Sequence, residues 1–507
     1  MADRDSGGAA MRARDLVLAG RRPEGVVDLV DKNGRRLQLL HLGEEARPAA
    51  RSSTSPRLSV FREAATGLLR VAHRELVLRF ASWVPASRRR AILADAGCAL
   101  RRFNPFISDQ IVVSPRERRP TGLELIALAN EWMEMDEVVF AAPSFLSEYR
   151  RERPPSMRPE EWHLCSHSAS AGVRVTAAWE RTLGEPGIVV AVLDDGVDLA
   201  HPNLRPNLWS NPEPMALDRL GRDFSADLEE PGHLDPRPKC LGDIHGTPCA
   251  GLIAAAGIEG GSVGVAPGCR VLPVKIFRGD DLACDEGVAN AIRYAALHAD
   301  VLSCSWIGGS SPDVRQALED AGTLGRQGLG AAVFCAAGNR QGAPVAFPAS
   351  DLSTIAIGAS TDLGTWAEYS NRGPEISVVA PSSGGFQRIF TTDVSLPGRG
   401  YSPGDLHTNK FGGTSAATAI TAGVAALVLS VHPGLDRWKL KNLLEETAQK
   451  IGGGYNALGH SLEMGHGRVD AGRAVEEAAR RFSASPACSG KAYSTRPPSW
   501  SRPLRSS

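Results

Sequence analysis

Three segments of the chain each set a polar or ionisable side chain where an apolar run gives way to a tight glycine-containing turn or to the start of a helix. IVVAVLDDGVD delivers Asp194 at the end of a strand-like run, the end at which open α/β sheets place their active sites. GDIHGTPCAGLIAAA sets His245 just ahead of a helix, with Thr247 as the expected N-cap and Pro248 in the first turn. FGGTSAATAITAGVAALVLS sets Ser415 after a Gly-Gly-Thr turn at the start of a long apolar helix, whose dipole favours developing negative charge. A serine hydroxyl is a poor nucleophile until a base takes its proton. An imidazole acting as that base needs a carboxylate to fix its tautomer and stabilise its charged form. Asp, His and Ser supply those three roles. Singly, Asp-Gly is ordinarily a turn, His-Gly-Thr a helix cap and Gly-Thr-Ser a loop, so the reading rests on their joint occurrence.

Each segment also carries its neighbours, and over about Trp162 to Ala479 the chain resembles the subtilisin-like serine proteases. VAVLDDGVD with HPNL just after it is similar to that family's segment around its Asp, HGTPCAG to the one around its His, and GTSAATAITAGVAAL to the one around its Ser. AAGN at 336–339 is a fourth match in family order. The resemblance implies serine endopeptidase activity through Asp194, His245 and Ser415, with the side-chain amide of Asn339 donated to the oxyanion. Read alone, an Asn in an Ala-Gly-Asn turn is a structural left-handed residue. The rival reading is a catalytically inactive subtilase fold that only binds peptides.

LDDG, the Cys of HGTPCAG, SCSW at 303–306 and GTSAA look closer to the kexin branch. RQGAPVAFPAS after AAGN departs from it, because kexins carry acidic, Cys-containing segments there that bind basic P1 residues. The resemblance further implies that an extended peptide pairs with the edge Ser303 to Gly309. It implies an S1 pocket lined by Ser305, Trp306, Gly308, Ala336, Ala337 and Ala346, with Arg340 at its rim, and it sets Asp195 facing a basic P2 side chain. Arg340 is permanently charged and is expected to repel a basic P1 residue; a solvated surface Arg is its bland reading. The chemistry requires no metal. Subtilases often carry structural calcium, for which this chain offers Asn203 and GIEGGSV (257–263), with Glu259 as the single carboxylate, a poor set for a hard cation.

The elements that must position these residues follow from the pattern of apolar runs. From 162 to 481, IVVAVLD, VLPVKIF, DVLSCSW, AAVFCAAGN, TIAIGAS and ISVVAP alternate with helical segments. That alternation predicts an α/β domain with a doubly wound, mainly parallel sheet of subtilisin-like type. Residues 71–147 read as βαββαβ, a small α+β ferredoxin-like unit, in the position of an inhibitory prodomain. The unit is followed by an exposed Arg/Glu/Pro linker at 148–161. Residues 1–70 are an extension of unknown role containing a hairpin signal at Asn33-Gly34, and 482–507 read as a disordered tail. This order makes the chain's own N-terminal domain its expected intramolecular inhibitor, as in a zymogen; the alternative is a permanent accessory domain.

Basic and acidic residues balance at 57 each, which gives no electrostatic reason to expect nucleic acid or an anionic membrane as partner. Protein or peptide substrates remain. The nine cysteines are scattered without CxxC pairs, so they read as reduced core residues and not as a zinc site. The first 25 residues hold no apolar stretch of signal-peptide length, and a cytoplasmic protein is the expectation.

Overall fold

The computed structural model describes residues 25–30, 36–46, 57–63, 69–116, 120–147, 149–150, 161–164, 171–213, 217–225, 234–258, 261–279 and 283–484. Most of the predicted tail and of the linker therefore lie outside the described residues; residues 482–484, placed in the tail by the sequence, end a helix instead. The first elements are three strands, β1 (Gly25–Val30), β2 (Arg36–Ala46) and β3 (Arg57–Glu63), paired antiparallel in sequence order. The βαββαβ unit follows as β4 (Leu69–Phe80), α1 (Ala86–Asp95), β5 (Cys98–Phe103), β6 (Gln110–Pro115), α2 (Gly122–Met133) and β7 (Val138–Ser147). Helix α2 starts where its sequence says it should: Thr121 and Glu124 cap each other's backbone amides in a capping box.

Strand β4 pairs β7 along one edge and β3 then β6 along the other. The sequence reading began the small domain at residue 71, but its sheet starts at Gly25 and runs β1-β2-β3-β4-β6-β5, with β7 on the other side of β4. Phe61 of β3 shares one core with Leu78, Ile126, Trp132 and Phe145. Much of the stretch assigned to an extension is thus structural.

The two residues of β8 (Tyr149–Arg150) lead, beyond the linker, to α3 (Val175–Trp179) and the large domain. Strands β9 (Val189–Asp194), β10 (Arg222–Asp223), β11 (Arg270–Lys275), β13 (Val301–Cys304), β15 (Ala332–Ala336), β16 (Ile355–Ser360) and β17 (Ile376–Pro381) form one sheet. Its order is β10-β11-β9-β13-β15-β16-β17 and every pairing is parallel. Helices cover both faces, which is why these strands are almost continuously apolar. On one face lie α5 (Asp285–His298) and α6 (Pro312–Leu324). On the other lie α4 (Gly246–Ala254), α7 (Gly413–Val431), α8 (Arg437–Thr447) and α9 (Ala471–Ala484), with a ribbon of β18 (Ile389–Thr392) and β19 (His407–Phe411) beside them.

Helix α7 is long and apolar enough to cross a membrane, with a mean hydropathy of 1.7, yet 89% of that window is buried inside the domain. The hydroxyls of Thr418, Thr421 and Ser430 each donate to the carbonyl four residues earlier at 2.8 Å. That satisfies them without water. It is a core helix.

The two domains meet across α5 and α6. Strand β12 (Ala283–Cys284), just before α5, adds to the free edge of β7, with Ala283 opposite Ser147 and Cys284 opposite Leu146. Among the described residues, three ion pairs cross the boundary: Arg70–Asp285 at 2.7 Å, Arg79–Asp320 at 3.3 Å, and Arg102–Glu286. The arginine belongs to the small domain in each. Glu63 also crosses, accepting from the Ser310 backbone amide at 2.9 Å just ahead of α6.

Candidate active site

Strand β9 is flanked by β11 on one side and β13 on the other, so the winding reverses there and a crevice opens at its carboxyl end. Asp194 is the last residue of β9. Ser305 follows the end of β13 and Asn339 lies just past the end of β15, so adjacent parallel strands bring the three to one edge. Two helices point their N-termini at that edge: His245 is the N-cap residue of α4 and Ser415 lies in the first turn of α7.

His245 Nδ1 lies 2.9 Å and 3.0 Å from the two carboxylate oxygens of Asp194. Both side chains are 1% exposed. An Nδ1–H held by a carboxylate leaves Nε2 as the basic nitrogen, and Nε2 is buried without a hydrogen-bond partner among the described residues. Phe411 packs edge-on against the ring at 5.2 Å. Ser415 is fully buried. Its hydroxyl donates to the Ser305 carbonyl at 3.1 Å and not to His245, while the Ser305 hydroxyl donates back to the Ser415 carbonyl at 3.1 Å. Ser415 is brought to the same edge as His245, but no hydrogen bond joins the two side chains.

Asn339 is held by one end. Its Oδ1 accepts from the backbone amide and from the hydroxyl of Thr414, both at 2.9 Å. The amide orientation follows from those donors, and it leaves Nδ2 buried without a partner among the described residues. A left-handed structural Asn needs no such orphaned donor. Gly413, at φ +71°, makes the arrangement possible, since a Cβ there would sit 2.8 Å from Asn339 Nδ2.

The remaining predicted residues divide. Ile307–Gly308 form β14, and the partner on this edge is the chain itself: β8 pairs antiparallel with it, Arg150 opposite Ile307 and Tyr149 opposite Gly308. Ala336 and Ala337 are fully buried beside Asn339, and Ala346 donates its amide to the Ala337 carbonyl at 3.0 Å. Trp306 is fully buried and packs edge-on against Phe277 at 5.9 Å in the core on the α5 and α6 side, so its indole is engaged in packing. The Arg340 amide donates to Asn371 Oδ1 at 2.8 Å.

Asp195 is fully buried, and its carboxylate accepts from the backbone amides of His245 and Gly246. It is turned towards α4. Thr247 does not cap α4 either: that place belongs to His245, and the Thr247 hydroxyl accepts from the Asp198 amide.

Thr414 and Asn371 were not singled out from the sequence, and Cys249 was marked there only as a kexin-like feature. Asn371 also donates to the Pro344 carbonyl and so ties the loop after Asn339; no sequence signal marks it. Cys249 lies one helical turn after His245, with its sulfur 3.8 Å from Nδ1. Asp194, His245 and Cys249 form the one group among the described residues with metal-ligand spacing. Burial pushes the Cys249 thiol well above its ordinary pKa, and Asp194 adds to the effect. A thiol kept protonated is a poor ligand, and these donors do not fit an ion.

At the predicted calcium position only part of the set is described. Asn203 Oδ1 accepts from the Ile258 amide at 2.6 Å and its Nδ2 faces His407; Glu259 lies outside the described residues.

A parallel doubly wound sheet carrying a carboxylate-held imidazole, a helix-terminal serine and an unpaired amide donor defines a serine-hydrolase type of site. Residues 185–467, more than half of the chain, match the profile of the subtilase family, and the chain belongs to that family. It is similar to the calcium-dependent protease of Nostoc sp., 31% identical over 443 residues that cover 79% of this chain and 63% of that protein. It is also similar to kexin of Saccharomyces cerevisiae, 30% identical over 62% of this chain and 39% of that protein. The chain thus spans less than two thirds of the length of these relatives. Among solved structures, fervidolysin from Fervidobacterium pennivorans, a keratinolytic enzyme related to subtilisin, matches with a TM-score of 0.60. The match is 23% identical and covers 82% of this chain and 62% of that one. It establishes the subtilisin-like fold.

Proposed function

We propose that the chain is a serine endopeptidase that hydrolyses peptide bonds in proteins through an acyl-enzyme on Ser415. The observation that carries the reading is the pair of buried nitrogens without a partner among the described residues, His245 Nε2 and Asn339 Nδ2, a base and an oxyanion donor at the edge that also holds a helix-terminal serine. Ser415 Oγ turns from the Ser305 carbonyl to His245 Nε2, a change between staggered wells, and attacks the scissile carbonyl carbon as Nε2 takes its proton. Asp194 holds the imidazolium. Asn339 Nδ2 and the Ser415 backbone amide, which has no intrahelical acceptor in the first turn, donate to the oxyanion. Collapse breaks the C–N bond, Nε2 protonates the leaving amine, and water activated by His245 hydrolyses the ester.

The pairing of β8 on β14 supports a second element of the reading. The chain's own backbone occupies the edge on which a substrate would add as a strand, so the N-terminal domain acts as an intramolecular inhibitor until the linker is cut. Calcium, named for the Nostoc relative, takes no part in this chemistry; as a structural ion it would need ligands other than Asn203. A fluorophosphonate probe tests the central claim. Labelling of wild type at Ser415, lost in Ser415→Ala, supports an activated serine; an unlabelled, folded wild type returns the chain to a peptide-binding module.

A further inference from the structure

We propose that Asp195 is a positioning residue for His245. The inference rests on the peptidase reading and gives a role to the second carboxylate of LDDG.

A helix that begins at a catalytic residue has a difficulty at its first turn. Its leading amides have no intrahelical acceptor, and the N-cap side chain ordinarily supplies one. Here the N-cap is His245, whose ring is committed to Asp194, and it makes no capping bond. Asp195 supplies the acceptors from outside the helix. Its Oδ2 takes the His245 amide at 2.8 Å and its Oδ1 takes the Gly246 amide at 2.7 Å. A carboxylate at a helix N-terminus is also favoured by the dipole.

Asp195 is itself anchored. Its amide donates to Asp194 Oδ1 at 2.8 Å, and its carbonyl accepts from Lys275 Nζ, which is paired with Asp243 at 2.8 Å. The fit is tight, since a Cβ at Gly246 would lie 2.4 Å from the Gly196 carbonyl oxygen and 2.9 Å from Asp194 Cβ. One dipeptide at the end of β9 therefore grips His245 twice, Asp194 by the ring and Asp195 by the backbone. Both oxygens of the buried Asp195 carboxylate are thereby engaged by the backbone at the start of α4.

The test uses Asp195→Ala and Asp195→Asn in the full chain, the second keeping one uncharged acceptor should the first fail to fold. Two readouts are taken: steady-state kinetics on peptides with Ala or Lys at P2, and amide hydrogen exchange over residues 243–250 in a Ser415→Ala background. A displaced base should lower kcat on the order of 10²-fold in the Ala variant and less in the Asn variant. KM on the P2-Ala peptide should stay unchanged, and exchange at 245 and 246 should quicken. An unchanged kcat on the P2-Ala peptide, with lost preference for P2 Lys, overturns the proposal and makes Asp195 a substrate contact. Exchange is read without turnover, so unchanged exchange overturns the cap even in a chain that cleaves nothing, whereas a wild type that cleaves nothing defeats only the peptidase reading.

Discussion

Replacing Arg70 with Met should release the N-terminal domain from the protease domain by an amount that the interface geometry bounds. Arg70 is fully buried, pairs with Asp285 at 2.7 Å and Glu63 at 3.3 Å, and donates to the Ser310 carbonyl. Removing one partner of a buried charge pair costs about 2–5 kcal/mol, mostly because the other charge stays desolvated. The lower half applies here. Asp285 keeps the N-terminal dipole of α5 and Glu63 keeps the Ser310 amide, so about 3 kcal/mol is expected, or about 10²-fold in the affinity of the cut domain.

Arg102–Glu286 is the internal control. The Arg102 side chain is 42% exposed, and a partly solvated pair is worth no more than about 1 kcal/mol, a change of a few-fold. The assay lets the full chain cut its linker, dilutes it serially, and records the concentration at which half of the peptidase activity appears. A midpoint for Arg70→Met within a few-fold of wild type, or a larger effect from Arg102→Met, would refute the reasoning that burial sets the strength of this interface.

Three further outcomes are expected. Asn339→Ala should lower kcat by about 10²- to 10³-fold with KM little changed, as for a donor used only in the transition state; steady-state kinetics check it. Wild type and Ser415→Ala expressed side by side should differ by a cut between 148 and 161, visible by N-terminal sequencing and absent from the mutant. His163 is fully buried with neither ring nitrogen paired among the described residues, and burial pushes its pKa down to about 3. The unfolded chain, with an ordinary His near 6.5, takes up that proton first as the pH falls. Stability is therefore lost from about 6.5 downwards, by about 2 kcal/mol at pH 5. Urea unfolding of the Ser415→Ala protein at pH 7.5 and pH 5 should show that loss, and His163→Leu should make the loss smaller by about 2 kcal/mol.

The residues that could be read from sequence were those whose partners are written into the same segment. Asp194 ends a strand of valines and alanines, and Ser415 opens an apolar helix, so each carries its own structural context. What escaped depends on distant backbone. β8 forms from an Arg/Glu-rich stretch because β14 lies across from it, not because Tyr149 and Arg150 favour a strand. The membership of β1–β3 in the small domain's sheet is decided by long-range pairing with β4 and by contacts such as the Gly122 amide on the Ser59 hydroxyl. Asp195 was visible as a carboxylate in a turn. Its acceptors' donors lie 50 residues on, at a helix whose ordinary cap signal, Thr247, pointed elsewhere.

With Ser415 as the proposed nucleophile, its place in a late central helix has a consequence in time. A chain is made from its N-terminus, and Ser415 emerges 268 residues after Ser147, roughly a quarter of a minute to a minute later at about 5–20 residues per second. Asp194, His245 and Asn339 all leave the ribosome before it. The small domain is therefore complete before the polypeptide possesses a hydroxyl with which to cut anything, and the hazard of a half-made protease is removed by the order of translation alone.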